Sequence, residues 1–341
     1  GPVASALVAL AEHTGASGRT LLDALVLGID VSCRIGNVMY PDHYDRGWHI
    51  TGSTGMLGAA AGCARLLGLD EQRTAMALGI AASQPVGLRE QFGTMSKPLH
   101  PGAAARTGLM AALMAQQGFT ASPRALEAPR GLVQVVSTKC NWAEATDELG
   151  DRFEISFNTY KPYACGIVIH PSIDACSQLR AQGITAQQVE RIELKVHSLV
   201  LELTGKKEPA DGLAAKFSVY HGCAAGLLFG RAGEDEFSDA IVTRDDVMAL
   251  RRKVVATVDA AVAEESADVT AVLTDGRRVP VFVDHAIGSM QRPLSDAALD
   301  SKLRDLAEPV LGGERVGALI AACRGVAAAG DVRALAALAC P

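Results

Sequence analysis

The chain has 341 residues, 49% hydrophobic and 21% charged, a balance that excludes disorder as the main state and supplies enough material for two domains. Its 32 Lys and Arg against 38 Asp and Glu give a formal net charge of −6 with no basic block, which argues against a nucleic-acid partner. No run reaches the roughly 18 uninterrupted apolar residues of a membrane helix, since the apolar stretch 21–31 carries Asp23 and Asp30.

Gly1-Pro2-Val3-Ala4 has neither a basic leader nor a cleavage pattern. The eight cysteines (Cys33, Cys63, Cys140, Cys165, Cys176, Cys223, Cys323 and Cys340) are dispersed without a CxxC pair. Reduced thiols in a cytoplasmic protein are the simpler reading.

Residues 1–130 are rich in Ala, Gly, Leu and Met and repeat their apolar positions at helical spacing. The pattern predicts successive helices over 3–12, 17–36, 52–67, 71–84 and 102–117, broken at Gly15, Pro41, Gly68 to Asp70, Pro98 and Gly118. From about residue 158 the period changes. Residues 189–196 alternate apolar and charged side chains, as a half-buried strand does. Residues 269–273 and 279–283 flank Asp275-Gly276 and read as a hairpin, with Pro280 placing its second strand at an edge. Helical patterns at 172–182 and 214–230 lie among these strands, and Ser295 opens a helical C-terminal part. The simplest organisation is α+β: a discontinuous, mostly helical domain (1–157 and 292–341) with a smaller α+β domain inserted at 158–291.

Four segments could carry chemistry. In Gly47-Trp48-His49-Ile50-Thr51-Gly52-Ser53, backbone N–H groups and the hydroxyls of Thr51 and Ser53 could hold a carboxylate while His49 moves a proton, or His49 could simply cap the helix. In Ser96-Lys97-Pro98-Leu99-His100-Pro101, two prolines stiffen what reads as a loop presenting Lys97 and His100. Tyr160-Lys161-Pro162-Tyr163-Ala164-Cys165 sits where helix gives way to mixed structure, a place suited to a Lys anion clamp or a hinge, with Cys165 a buried thiol or a nucleophile. Lys216-Phe217-Ser218-Val219-Tyr220-His221 leads into an apolar helix, where His221 could serve as an acid or base or be structural. No HExxH, clustered Cys/His, P-loop or GxSxG pattern is present, so neither a metal centre nor a serine hydrolase is expected.

Taken together and in this order, the GWHxTGS, GTMSKPLHPGAAARTG, KPYxC…HP and AKFSxxH segments, with the closing Asp331-Val332-Arg333-Ala334-Leu335, resemble the MmgE/PrpD family of 2-methylcitrate dehydratases, cis-aconitate decarboxylases and an iminodisuccinate epimerase. The resemblance implies a homodimer of subunits that pair a helical domain with an α+β lid, a site needing no cofactor, and a small di- or tricarboxylate substrate. It assigns His49 as the catalytic histidine, Lys97 and Lys161 as the active-site lysines, and His221 to a position that is Tyr in the decarboxylases. Thr51, Ser53, His100 and Cys165 are the expected substrate contacts. Family members carry an early helical stretch with an active-site Asp and a His-Pro pair ahead of the segment that Gly1-Pro2-Val3 resembles. The resulting expectation is a lyase, foremost a dehydratase of a hydroxy-polycarboxylate. An epimerase or decarboxylase, or a shortened relative that binds a carboxylate without turning it over, are the alternatives.

Overall fold

The computed structural model describes residues 1–341, which divide into two compact units: residues 1–91, 95–158 and 307–341, and residues 92–94 and 159–306. The fold class is α+β, a mostly helical chain with one sheet-and-helix region inserted in the sequence. No helix is long and apolar enough to cross a membrane.

The first unit contains α1 (Pro2–Thr14), α2 (Gly18–Met39), α3 (Asp42–Asp45), α4 (Ile50–Leu66), α5 (Glu71–Ala82), α6 (Ser96–Gln116), α7 (Leu132–Val136) and α8 (Ala143–Thr146). Helix α1 ends where Gly15 adopts the left-handed conformation (φ 65°), and Ser17 caps α2 by accepting the Thr20 N–H. Helix α4 is buried at every position from Gly52 to Ala64, which makes it the central helix, with α1, α2, α5 and α6 packed around it. Small residues permit that crowding. A Cβ on Gly58 would lie 2.3 Å from the Gly28 carbonyl oxygen of α2, and one on Gly108 of α6 would lie 2.4 Å from Ala59 Cβ.

A buried arginine fixes the loop after α8. The Arg34 guanidinium, 2% exposed, meets Asp30 at 2.8 Å and donates to the carbonyls of Asp147 (2.8 Å) and Arg152 (2.6 Å), while Asp30 also accepts the Glu154 N–H at 2.8 Å.

The second unit holds α9 (His170–Ala181), β1 (Val189–Val196), α10 (Ser198–Thr204), α11 (Gly212–Ala215), α12 (Val219–Phe229), α13 (Asp239–Val242), α14 (Asp245–Arg251), β2 (Val254–Val258), β3 (Ala267–Leu273) and β4 (Arg278–Val283). The sheet order is β2-β1-β3-β4, parallel for β1 with β2 and antiparallel elsewhere. Pro280 falls on the edge strand β4, and Gly276 makes the hairpin turn with φ 86°. Alternate residues of β1 and β3, among them Ile192, Leu194 and Val269, join Ile173 and Leu179 of α9 and Leu227 of α12 in one apolar core. Helix α15 (Asp296–Leu311) returns the chain to the first unit, where α16 (Gly313–Arg324) and α17 (Arg333–Leu338) complete it.

Two expectations are corrected, and one element is new. Residues 96–101 are not a loop: α6 starts at Ser96, because Pro98 lies in a first turn whose N–H groups have no intrahelical acceptors, and the helix continues through Pro101. The pattern at 214–230 is two helices, since Ser218 leaves helical geometry to cap α12 by accepting the His221 N–H. Strand β2 was not anticipated at all.

Candidate active site

His49 is held by its backbone before its ring does anything. Its N–H donates to the Gly87 carbonyl at 3.0 Å, Arg89 N–H donates to the Gly47 carbonyl at 2.8 Å, and Trp48 bridges Leu88. Residue 49 then caps α4, its carbonyl accepting from the N–H groups of Gly52 and Ser53. The chain before it is anchored by Asp42, which accepts from Thr138 and Ser137, and by the fully buried His43, whose Nε2 lies 2.6 Å from Ser53 Oγ and whose ring stacks on Trp48.

The His49 and His100 rings meet. Their Nδ1 atoms are 2.9 Å apart, so one donates and the other accepts, and the pair shares a proton. Both are buried, at 6% and 7% exposure. Lys97 lies one helical turn before His100 on α6, and its ammonium charge acts on both imidazoles. Burial, then the Lys97 charge, then His100 push the His49 pKa down to about 4; burial and Lys97 lower that of His100. Both are therefore neutral at neutral pH, and His49 is ready to accept a proton.

Of the other expected residues in this unit, Thr51 is exposed on the first turn of α4, whereas Ser53 has no exposed surface and its hydroxyl is engaged with His43. In the second unit Lys161 is exposed, and its Nζ donates to the Cys165 carbonyl at 3.3 Å. The Cys165 thiol is buried, and burial pushes its pKa well up, away from thiolate chemistry. His221 is fully buried: its Nε2 donates to the Glu236 carbonyl at 2.8 Å, while Nδ1 has no partner.

Gly87 is a site residue that the sequence did not flag. It has φ 104°, and a Cβ there would lie 2.9 Å from His100 Nδ1 and 3.2 Å from His49 Cβ. Only the lack of a side chain lets the 86–88 turn close over both rings. Gly87→Ala should therefore lower turnover at least tenfold by displacing the histidine pair, at a cost of about 1–3 kcal/mol in stability. Parallel kinetics and chemical denaturation check this; unchanged turnover would show that the pair tolerates displacement.

Buried histidines also set an acid limit on the fold. His43, His49, His170 and His221 all have pKa values lowered mainly by burial, His49 to about 4 and His170 to about 3. Below the ordinary value near 6.5 the unfolded chain takes up protons that the native state refuses, so stability falls as pH drops from about 6.5 towards 4. Denaturation midpoints at pH 7 and pH 5 should differ in that direction; equal midpoints would contradict the lowered values.

Comparison with known proteins adds to this geometry. Residues 1–145 match the MmgE/PrpD N-terminal domain and residues 163–324 the MmgE/PrpD C-terminal domain. A cis-aconitate decarboxylase-like protein, oryM, of Aspergillus oryzae is 28% identical over 88% of this chain and 67% of its own length. The cis-aconitate decarboxylase of Homo sapiens is 25% identical over 94% of this chain and 69% of its own. The 2-methylcitrate dehydratase of Salmonella typhimurium is 26% identical over 69% of this chain and 53% of its own. The chain thus spans about two thirds of the length of the decarboxylases that it matches.

Proposed function

The chain belongs to the MmgE/PrpD family, and on that premise we propose that it carries the chemistry of a cofactor-independent lyase that dehydrates a small hydroxy-di- or tricarboxylate of the 2-methylcitrate kind. The observation that carries the reading is the neutral His49–His100 pair beside Lys97. Dehydration removes a proton from the carbon next to a carboxylate, and the C–H electrons form the double bond as the neighbouring C–O bond breaks. His49 takes the proton, and His100 shares it through the 2.9 Å contact. The leaving oxygen takes up a proton from solvent and departs as water, and the histidine pair returns the abstracted proton to solvent, so that the acid loses one water and the site is restored.

Lys97 and Lys161 are assigned to the substrate carboxylates, where ammonium charge stabilises the negative charge that builds up at the α-carbon. Thr51 is assigned a carboxylate contact from its exposed turn. A carboxylate arriving beside Lys97 offsets the charge that depresses His49, raising its pKa towards the working pH. Ser53 and Cys165 are assigned indirect roles, Ser53 through its contact with His43 and Cys165 through the carbonyl that accepts from Lys161. We place His221 with them as a positioning group, because its ring is enclosed and holds the Glu236 turn. A homodimer belongs to the same reading, and sedimentation velocity tests it.

A second reading, decarboxylation of an unsaturated tricarboxylate, is favoured by one observation. The relatives named as decarboxylases align over 88–94% of this chain and those named as dehydratases over 69%. Incubation with citrate, 2-methylcitrate, malate and cis-aconitate followed by mass spectrometry separates the two. Loss of water from a hydroxy acid supports the first, loss of carbon dioxide from cis-aconitate replaces it with the second, and no conversion of any acid contradicts both.

A further inference from the structure

A third histidine of the first unit, His43 on α3, is fully buried and takes no part in the proton transfer proposed above. Its ring is held on three sides. Nδ1 lies 3.4 Å from the Val136 carbonyl at the end of α7, Nε2 lies 2.6 Å from Ser53 Oγ on the first turn of α4, and the ring stacks on Trp48 with the planes 5° apart. A carbonyl oxygen only accepts, so Nδ1 carries the hydrogen. Burial keeps the ring neutral, so Nε2 is an acceptor and the Ser53 hydroxyl donates to it.

The other acceptors in reach of that hydroxyl, the His49 and Ile50 carbonyls, are both 3.4 Å away. Its hydrogen is therefore committed to His43 and not to the carbonyls of its own helix. The far side of the ring is fixed as well, because Asp42 accepts the Thr138 N–H at 2.6 Å and the Ser137 hydroxyl at 3.0 Å, which ties the end of α7 to α3.

These contacts bracket residue 49 along the chain. Trp48, just before it, donates its N–H to the His43 carbonyl at 3.4 Å, and Ser53, one turn after it, donates its N–H to the His49 carbonyl at 3.2 Å. The same turn of α4 also lies against the other half of the site. A Cβ on Gly52 would be 2.2 Å from the Val86 carbonyl oxygen and 3.5 Å from His100 Cβ. Val86 leads into Gly87, where a Cβ would meet both imidazoles. A shift of this turn would therefore displace His49 and the surface that locates His100, and the close packing leaves no slack to absorb it.

We propose that His43 is a positioning residue for the proton transfer: in its Nδ1–H form it accepts the Ser53 hydroxyl, fixes the first turn of α4, and so sets the spacing of the His49–His100 pair. This rests on the reading of that pair as the proton acceptor, and adds that its geometry is set by a group that does not itself move the proton.

The test compares two replacements. In His43→Gln, Oε1 takes the place of Nε2 as acceptor for Ser53; His43→Asn is too short to reach Ser53 but still donates to Val136. His43→Asn should lower kcat about tenfold or more with KM changed less than about threefold, and His43→Gln should stay within about threefold of the wild-type kcat. Ser53→Ala, which removes only the hydroxyl, should repeat the His43→Asn loss, and combining the two should add little to it. Where His43→Asn does not fold, as chemical denaturation will show, Ser53→Ala alone carries the test.

Heteronuclear NMR of histidine-labelled protein reads the same geometry without substrate. The His43 hydrogen is expected on Nδ1, and the His49 and His100 ring signals should shift in His43→Asn and Ser53→Ala but not in His43→Gln. A normal kcat in folded His43→Asn or in Ser53→Ala, equal losses in His43→Gln and His43→Asn, a His43 hydrogen on Nε2, or ring signals unmoved by either variant would overturn the proposal. Failure of the proton-transfer reading shows differently, as a normal kcat in His49→Asn while Ser53→Ala still moves the His100 signals.

Discussion

His49→Asn should lower turnover by about a hundredfold or more and leave the fold intact. The asparagine keeps a polar side chain within the hydrogen-bonding region of His100 but cannot accept and release a proton near neutral pH. The backbone that positions residue 49 is fixed by Gly87, Trp48 and the first turn of α4, none of which depends on the imidazole. The loss should therefore appear in kcat far more than in KM. The wild-type acid limb of kcat/KM should reflect a group well below the ordinary histidine value, because burial and Lys97 depress His49 to about 4. A His49→Asn enzyme with near-normal kcat would remove His49 from proton transfer, whatever the substrate.

Arg34→Met should be the most damaging substitution to stability, at about 3–5 kcal/mol. The methionine fills part of the space but leaves Asp30 with a buried charge and strips the carbonyls of Asp147 and Arg152 of their donor. The loop that these groups hold precedes residue 159, where the second unit begins. Adding Asp30→Asn to Arg34→Met removes the stranded charge and should restore part of the loss, so the double variant falls short of the sum of the two. Chemical denaturation of the two single variants and the double variant checks this. Strict additivity would mean that the pair is not coupled.

Much of the fold was legible where local chemistry and tertiary environment agree. The pattern at 189–196 is β1 to the residue: Ile192, Leu194 and Val196 are buried with charged residues between them, and a register shift between Val189 and Arg191 accommodates the adjacent Glu190 and Arg191. The Asp-Gly turn fixes the hairpin. Strand β2 was illegible because its short Val-Val-Ala-Thr-Val run follows directly on α14 and has only its first residue buried, so it shows no alternation. The start of α6 was misread because proline near a helix N-terminus resembles proline in a loop until the rest of the turn is seen.

The site was partly legible in the same way. His49, Lys97 and His100 stand out by their neighbours along the chain, but nothing local shows that residues 51 apart share a proton at 2.9 Å. That contact depends on Gly87, which has no side chain to announce it, and on where α4 and α6 cross. The His43–Ser53 contact was hidden for a related reason. Ser53 reads as a ligand-facing hydroxyl until α4 proves to be buried on every side.

The central claim, that the His49–His100 pair moves a proton on and off the carbon next to a carboxylate, is tested most directly by hydrogen exchange. The wild-type enzyme and its His49→Asn variant are incubated in deuterated water with each candidate acid, and the α-hydrogen is followed by proton NMR. The account predicts that the wild type washes deuterium into the α-position of the acid it converts and that the variant does so at least a hundredfold more slowly. Exchange at equal rates in both proteins, or conversion by the wild type in which the α-hydrogen is never labilised, would contradict it.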